Sequence, residues 1–406
     1  MKILFITPYI PYPLISGGHA RIYNLIRNLS EKRHQIILLC YVRSEVKEGQ
    51  IEELRHFCEE VEVLPRRPVW SVKNAFRYLF SNYPLIAVIN GFDVRMENRI
   101  QEMTKRYKPD LIQVEHFHMA QPVLKQKERL NIPLVLGEQG VEFVILERFL
   151  KTTKNLLLRL ALHCELSRLK RYELKVSSIF DGCMEVSEED KRLFLKAGAR
   201  NNLYVIPNGV DFKYFQTPAE VKRQTSHPPT IAFIGTFTFF GNVEAAEWLL
   251  DEILPRIESK IPEVLTYLIG NRPPSSLRKR ANERVIVTGF VPDLREYLNK
   301  CDVVVVPLRT GSGTKMKILE PMAAAKAVVS TSVGIEGIEA IEGEHYFKAD
   351  DACDFAAKTI FLLSNPEWQR RMGEKARELV MQKYDWKPII ERMIEVYQNI
   401  LTLSSL

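Results

Sequence analysis

The stretch DVVVVPLRTGSGTKMKILEPMAAA, residues 302–325, contains the features that decide the fold class. Its first part is a continuous apolar run, which is typical of a strand covered on both faces within a parallel sheet. A glycine-rich turn follows, and then a segment with the composition of a helix. This order of strand, glycine turn and helix is the repeating unit of doubly wound α/β domains.

The same alternation extends along the whole chain. The first half contains the apolar runs KILFIT, HQIILLCYV, EVEVLP, DLIQVE, PLVLGE, GCMEVS and LYVIPNG. The second half contains TIAFIG, VLTYLIG, RVIVTGF, DVVVVPL, AVVSTSV and HYFKAD. Because amphipathic segments separate these runs, we predict two α/β domains, each with a parallel sheet and helices on both faces.

A polar, proline-containing segment, 208–230, separates the two halves and predicts the connection between the domains. We therefore assign 1–207 to an N-terminal Rossmann-like domain and 208–385 to a C-terminal one. Each length suits a single hydrophobic core. The remainder, 386–406, is predicted as a helix whose apolar stripe must pack on another part of the chain.

The composition argues against several classes of protein. The 406 residues are 46% hydrophobic and 26% charged, which is typical of a soluble globular chain. Prolines interrupt the apolar N-terminal segment, which favours a buried strand over a signal peptide, and no run reaches the ~18 residues of a membrane span. The six cysteines lack metal-binding spacing, so we predict a reduced, cytoplasmic protein without metal. A net charge of +7 without a recognition motif does not indicate nucleic acid.

Glycine-containing loops follow three of the predicted strands, where open parallel sheets bind ligands. Gly17 and Gly18 follow the first strand and could let backbone amides approach a phosphate, although a plain tight turn is the alternative. The loop 234–245, with Gly235 and Asn242, holds the same position in the second domain.

The third loop supplies the most specific signal. Its backbone amides suit a diphosphate and belong to Gly311, Ser312, Gly313 and Thr314. Lys317 can add a cation to the same oxygens. Glu320 lies on the same side of the helix and can accept two hydrogen bonds from the vicinal hydroxyls of a ribose. The alternative is an ordinary surface ion pair between Lys317 and Glu320.

The order and spacing of these motifs resemble the retaining glycosyltransferases of family 4 (glycosyl transferase group 1), which have the GT-B fold of two Rossmann-like domains facing a central cleft. The segment PLRTGSGTKMKILEPMAAAKAVVSTSVGIEG is similar to their donor-binding signature. Further similarity lies in SGGHARIYNLIRNLSEKRHQIILL, GVEFVILERF, EVSEEDKRLF, YVIPNGVD, VTGFVPDLREYL and the terminal YDW.

The resemblance implies transfer of a hexosyl group from a nucleotide-diphosphate sugar to an acceptor hydroxyl, with retention, in cell-surface polysaccharide or glycolipid synthesis. It places the diphosphate at Gly17, Gly18 and 311–317, the ribose at Glu320 and the base near 288–293. It implies no metal and no cofactor, since amides and cations neutralise the leaving group. It also implies that the last helix returns to the first domain.

Three departures from the family pattern affect the predicted site. Ser312 stands where the family often has the first of two glutamates. The loop 236–242 lacks the usual arginine and lysine, so Lys317, supported by Arg309, must supply the positive charge. Glu115 stands where a histidine is common.

His116 and His118 follow Glu115 directly. We assign catalytic roles to Lys317, His116 and Glu115, with His116 reaching the sugar and Glu115 orienting its ring and raising its pKa. His118, or a purely structural imidazole at either position, is the alternative.

Two basic stretches in the first domain combine cations with aromatic or leucine residues, 65–85 and 148–175. They favour contact with an anionic bilayer and a lipid-linked acceptor, hence a cytoplasmic protein peripheral to the membrane. The alternative is core-packing helices with solvated charged faces. Two rival functions also remain: a nucleotide-sugar 2-epimerase, and a nucleotide-binding protein without catalysis.

Overall fold

The computed structural model describes residues 1–42, 48–68, 71–153, 155–200, 202–215 and 227–404. The chain divides into two compact units. Unit 1 comprises Met1–Leu14, Gly18–Pro207 and Ile389–Leu406, and unit 2 comprises Ile15–Gly17 and Asn208–Pro388. The middle of the predicted connection, 216–226, lies outside the described residues, as do residues 69–70 and Lys154 of the basic stretches.

Unit 1 is built, within the described residues, on a seven-stranded parallel sheet of order β3-β2-β1-β4-β5-β6-β7. The strands are β1 Lys2–Thr7, β2 Gln35–Val42, β3 Glu60–Pro65, β4 Leu111–Glu115, β5 Leu134–Gly137, β6 Gly182–Glu185 and β7 Leu203–Val205. Its helices are α1 Gly17–Glu31, α2 Glu48–Arg55, α3 Val72–Leu79, α4 Leu85–Gly91, α5 Val94–Tyr107, α6 Gln121–Leu124, α7 Lys127–Leu130, α8 Glu142–Thr152, α9 Leu156–Ile179 and α10 Glu188–Ala197, with a 3₁₀ turn at Phe117–Met119.

Unit 2 contains, in the part that is described, a six-stranded parallel sheet of order β10-β9-β8-β11-β12-β13. Its strands are β8 Thr230–Ile234, β9 Leu265–Ile269, β10 Val285–Gly289, β11 Val303–Val306, β12 Ala327–Ser330 and β13 Phe347–Lys348. The helices are α11 Phe240–Trp248, α12 Leu254–Glu258, α13 Ser275–Arg278, α14 Arg295–Lys300, α15 Met316–Ala323, α16 Ser332–Ile335, α17 Ala352–Ser364 and α18 Pro366–Lys383, with a π-helical turn at Leu249–Ile253. The last helix of the chain, α19 Trp386–Ser404, begins in unit 2 and continues into unit 1.

The predicted strands and the parallel, doubly wound architecture of both domains are confirmed. β1 and β11 illustrate the physical reason, because nearly all of their side chains are buried, so both faces of each strand had to be apolar. In each sheet the strand order reverses once, between β1 and β4 in unit 1 and between β8 and β11 in unit 2. Ligands of open α/β sheets bind at such switch points.

The last helix, α19, belongs to unit 1 from Ile389 onward. Its buried apolar stripe includes Ile390 and Met393. The Tyr397 hydroxyl donates to Gln113 Oε1 in β4 over 3.2 Å, and Lys32 pairs with Glu391 at 2.7 Å. The apolar stripe noted in the sequence therefore packs against the first Rossmann-like unit.

Candidate active site

The switch point of unit 2 positions Lys317, the second residue of α15. The lysine ammonium donates to Oδ1 of Asn242, in the first turn of α11, and lies 5.2 Å from the centre of the Phe233 ring. Asn242 is itself held because its Nδ2 donates to the Thr236 carbonyl over 2.8 Å. A Cβ at Gly235 would lie 2.9 Å from Asn242 Cγ, so glycine permits this approach. The structure thus gives Asn242 a contact that orients Lys317.

Lys317 and Glu320 retain some accessible surface, although protein surrounds both side chains. Burial, with a smaller contribution from the charge of Lys315, lowers the pKa of Lys317 to about 7. Burial also raises the pKa of Glu320 to about 7, against the attraction of Lys317. A solvated surface ion pair would show neither shift, so the environment disfavours that alternative. Neighbouring groups whose pKa values are shifted in this way are concentrated at functional sites.

The glycine-rich loop between β11 and α15 has a backbone that ordinary side chains rarely adopt. Gly311 and Gly313 have φ values of +152° and +75°. Thr314 is buried, and its carbonyl accepts a 2.8 Å hydrogen bond from Asn208 Nδ2. Ser312 keeps part of its surface accessible. The loop therefore has a defined shape that glycine at two positions makes attainable.

Arg309 is engaged elsewhere in unit 2. Its guanidinium pairs with Glu244, with Nε and Oε1 2.7 Å apart, and lies 4.7 Å from the centre of the Trp248 ring. The supporting charge predicted for Arg309 is therefore already balanced by a carboxylate. For Arg309 to reach a diphosphate, this pair would first have to break.

The switch point of unit 1 brings Gly18 and His116 to the same edge. Gly17 begins α1 and Gly18 follows it. A Cβ at Gly18 would collide with the Tyr9 hydroxyl and lie 2.5 Å from Gln139 Oε1. The Tyr9 ring stacks on His19 at 4.1 Å and meets the edge of His116 at 6.3 Å. Close side-chain packing is thus one physical reason for glycine at position 18.

The two histidines after β4 form a stacked pair with ring centres 5.1 Å apart. His116 has a φ of +68°, and its amide donates to the Gly137 carbonyl over 2.8 Å. Nε2 of His116 and Nδ1 of His118 are both buried and have no hydrogen-bond partner among the residues described. As a whole residue His116 keeps some exposure, whereas His118 is buried. Of the two, His116 is the better placed to meet a ligand.

The predicted rise in the pKa of His116 is wrong. Burial, followed by the positive charges of Arg21 and His19, lowers this pKa to about 4. Burial and His116 lower the pKa of His118 well below its usual value. The Glu115 carboxylate accepts from Gln113 Nε2 at 2.9 Å, and the charges that act on the His116 ring are those of Arg21 and His19. At neutral pH His116 is therefore an uncharged imidazole.

Glu115 is also corrected in its role. Its side chain is fully buried, and burial raises its pKa while the charge of Arg21 lowers it. A carboxylate without accessible surface cannot touch a substrate. The sequence predicted that Glu115 would orient the His116 ring and raise its pKa; the rise in pKa is wrong, and the hydrogen bond described for Glu115 joins it to Gln113.

Two glycosyltransferase family models match the chain, over residues 15–214 (Glycosyltransferase Family 4) and residues 228–365 (Glycosyl transferases group 1). The chain belongs to this glycosyltransferase family. The structure is similar to sucrose-phosphate synthase of Thermosynechococcus elongatus (TM-score 0.76, 15% identity, 99% and 100% of the two chains). It is also similar to Anabaena HepE in complex with UDP-glucose (TM-score 0.71, 16% identity, 100% of both chains). The GT-B fold class is confirmed.

Relatives in sequence are distant. A 44.6 kDa protein in the cps region of Klebsiella pneumoniae is 22% identical over 97% of this glycosyltransferase and 99% of its own length. Phosphatidyl-myo-inositol mannosyltransferase of Mycobacterium tuberculosis is 23% identical over 48% of this chain, a match that spans only 53% of the mannosyltransferase. One polypeptide of human phosphatidylinositol N-acetylglucosaminyltransferase is 22% identical over 96% of this chain and 74% of its own length.

Sequence reasoning missed two buried cations of this glycosyltransferase. Lys315 precedes α15 and pairs with Glu336 at 3.7 Å. Arg21, in α1, is 1% exposed and donates to the carbonyls of Ile206 (2.9 Å) and Pro207 (3.0 Å). A signal for Arg21 was present, because three consecutive predicted strands carry a glutamate at or near the carboxyl end: Glu115, Glu138 and Glu185. All three are buried, and buried carboxylates call for a cation nearby.

Proposed function

We propose that this glycosyltransferase moves a hexosyl group from a nucleotide-diphosphate sugar to an acceptor hydroxyl, with retention and without a metal. The observation that carries the proposal is the perturbed Lys317–Glu320 pair beside the glycine-rich loop at a switch point. Similarity to HepE, whose structure contains UDP-glucose, supports a donor of this class.

The proposed chemistry rests on stabilising the leaving diphosphate. As the bond from the anomeric carbon to the phosphate oxygen breaks, negative charge develops on the diphosphate. The loop amides and the Lys317 ammonium, held in place by Asn242, would face that charge without reorganising. Glu320 would accept the ribose hydroxyls. The uncharged His116 would hydrogen-bond to the sugar, and the acceptor hydroxyl would pass its proton to the departing phosphate on the same face.

The proposed acceptor is a lipid-linked or polysaccharide hydroxyl at the cytoplasmic face of a membrane. The relative in the Klebsiella cps region and the two phosphatidylinositol glycosyltransferases support this class. Across the described ranges, no helix has both the length and the apolar character needed to cross a bilayer.

A panel of radiolabelled UDP-, GDP- and ADP-sugars, incubated with membrane lipids and with EDTA, tests the activity. We expect slow hydrolysis of one donor and faster transfer to a lipid product, unaffected by EDTA. NMR of the new linkage should show the anomeric configuration of the donor. A product of unchanged mass would instead identify a 2-epimerase, and binding without turnover would identify a non-catalytic nucleotide-binding protein.

Affinity for a nucleoside diphosphate should peak near pH 7. Lys317, with its pKa lowered to about 7, loses the ammonium as the pH rises through that value, so affinity should fall on the alkaline side. Glu320, with its pKa raised to about 7, becomes protonated as the pH falls, so ribose binding should weaken on the acid side. On each side of the maximum, the affinity should fall with a slope that approaches about tenfold per pH unit. Calorimetric titration with UDP or GDP between about pH 5 and pH 9 measures this, and a flat profile would contradict contact by either group.

A further inference from the structure

A basic pocket of about 220 Å³ lies in unit 1, close to the carboxyl ends of β2 and β3. Its lining includes four cationic side chains, which are Arg66, Arg67, Lys73 and Arg77. Among the described residues of the lining, Asp93 is the one acid, and its carboxylate is held by Arg95, with Nη2 and Oδ2 2.7 Å apart, and by Arg67 at 3.4 Å. The pocket therefore carries a net positive charge that suits a phosphate group.

The pocket adjoins the edge where the candidate catalytic groups lie. β2 and β1 are neighbours in the sheet, and β4 lies on the other side of β1. The positive charge of Arg66 contributes to lowering the pKa of His118, the stacking partner of His116. A ligand anchored in the pocket would thus have its adjoining groups near the His116 edge of the same unit.

Helix α3, which forms one wall of the pocket, leaves its apolar face uncovered. No residue of this helix is buried. The exposed fractions are 89% for Val72, 62% for Phe76, 68% for Leu79 and, just beyond the helix, 74% for Phe80. On the adjacent face of the same short helix, Lys73 and Arg77 reach the pocket. Large exposed apolar side chains beside cations are typical of helices that lie in a bilayer interface.

A second apolar segment is connected to α3. The first turns of α9 expose Leu156, Leu157 and Leu160. Further along α9, Glu165 accepts from the Tyr78 hydroxyl at 3.0 Å, and Arg168 donates to the Tyr78 carbonyl at 3.0 Å. These bonds connect the C-terminal turn of α3 to α9, so the two exposed apolar segments are joined through Tyr78.

We propose that this pocket binds the phosphate group of a membrane-embedded lipid, the acceptor of the transfer reaction, while the apolar face of α3 enters the bilayer. The proposal rests on the glycosyltransferase function proposed above and names its acceptor as a lipid phosphate. Charge complementarity selects the occupant, because four cations surround the cavity and the acid described among them is already paired.

Co-sedimentation with vesicles tests the proposal without requiring turnover. Wild-type protein should pellet with phosphatidylcholine vesicles containing phosphatidic acid and far less with phosphatidylcholine alone, and binding should fall as salt is raised. The double variant Lys73→Gln/Arg77→Gln should lose about 30-fold in partitioning to the anionic vesicles. Phe76→Ser/Phe80→Ser should weaken binding to both vesicle types by about tenfold or more.

The matched control is Lys105→Gln/Arg129→Gln, which removes the same charge from exposed positions on α5 and α7. It should bind the anionic vesicles within about twofold of wild type. Equal loss in the control and the pocket variant would overturn the proposal in favour of a general charge effect. A second outcome would also overturn the proposal: inorganic phosphate stabilises the wild-type protein, but the protein does not bind vesicles. That outcome would identify a free-phosphate site.

Measurements of transfer and donor hydrolysis distinguish the proposed lipid-phosphate site from the proposed glycosyltransferase function. In the pocket variant, kcat/KM for a lipid acceptor in vesicles should fall while slow hydrolysis of the donor in solution is unchanged. If wild-type protein binds anionic vesicles but turns over no donor in the nucleotide-sugar panel, the function fails and the lipid site stands. If transfer proceeds equally well in wild type and pocket variant, the function stands and the lipid site fails.

Discussion

The variant Lys317→Met should lower kcat by about 10²–10³-fold while leaving the fold intact. Methionine preserves the length and apolar stem of the side chain but removes the ammonium that faces the leaving diphosphate. The loss should fall mainly on kcat, because the charge on the diphosphate grows as the bond breaks. Steady-state kinetics with the donor identified by the panel measures the effect.

Stability of this variant should be equal to or greater than that of wild type. Burial lowers the pKa of Lys317 to about 7, so the protonated form is less favourable in the folded protein than in the unfolded chain. Methionine removes this cost, although the contacts with Asn242 and Phe233 are lost. Thermal denaturation separates a chemical loss from a folding loss. The stability–activity trade-off of functional sites predicts this combination.

Two further variants test whether the effect is specific to the Lys317 ammonium and its position. Asn242→Ala removes the acceptor that holds the ammonium, and we expect a smaller loss of kcat, about 10-fold. Lys260→Met removes an exposed lysine of the same unit and should leave kcat unchanged. Full turnover by a folded Lys317→Met protein would refute the proposed stabilisation of the leaving group.

The variant Arg21→Met should destabilise the protein by about 3–5 kcal/mol. Arg21 is almost fully buried and donates to the carbonyls of Ile206 and Pro207. Its charge also lowers the pKa values of the buried Glu115 and Glu185, which burial raises. Removing the guanidinium leaves these carboxylates without their buried cation and leaves the two carbonyls without donors.

Urea denaturation at neutral pH measures this loss. The control is Arg27→Met on the same helix, where a half-exposed ion pair with Glu31 predicts about 0–1 kcal/mol. Burial outweighs the attraction of Arg21 in wild type, so the pKa of both carboxyls already lies above its usual value, and loss of Arg21 should raise it further. Lower pH should therefore reduce the difference between Arg21→Met and wild type, because the folded variant binds these protons more strongly than folded wild type. A loss below about 1 kcal/mol at neutral pH would show that the charges of Glu115 and Glu185 do not depend on Arg21.

The strands and their parallel arrangement could be predicted from the sequence alone. A strand such as β11, VVVV, is buried on both faces, so its environment is recorded in consecutive residues. The glycine-rich loop could also be predicted from the sequence, because the φ values of Gly311 and Gly313 suit glycine and few other residues. These features depend on neighbours in the chain, and local sequence carries that information.

The contacts and protonation states of the candidate active site depend on residues that are distant in sequence. Lys317 and Asn242 are 75 positions apart, and Arg21 reaches a carbonyl 185 positions away. Adjacency suggested that Glu115 would raise the pKa of His116, but the fold directs the carboxylate to Gln113 and buries the imidazole near Arg21. Burial and through-space charge set each pKa, and both quantities exist only once the chain has folded. The sequence thus determined the two parallel-sheet domains and the glycine-rich loop, whereas tertiary structure decided which charges meet and which protonation states result.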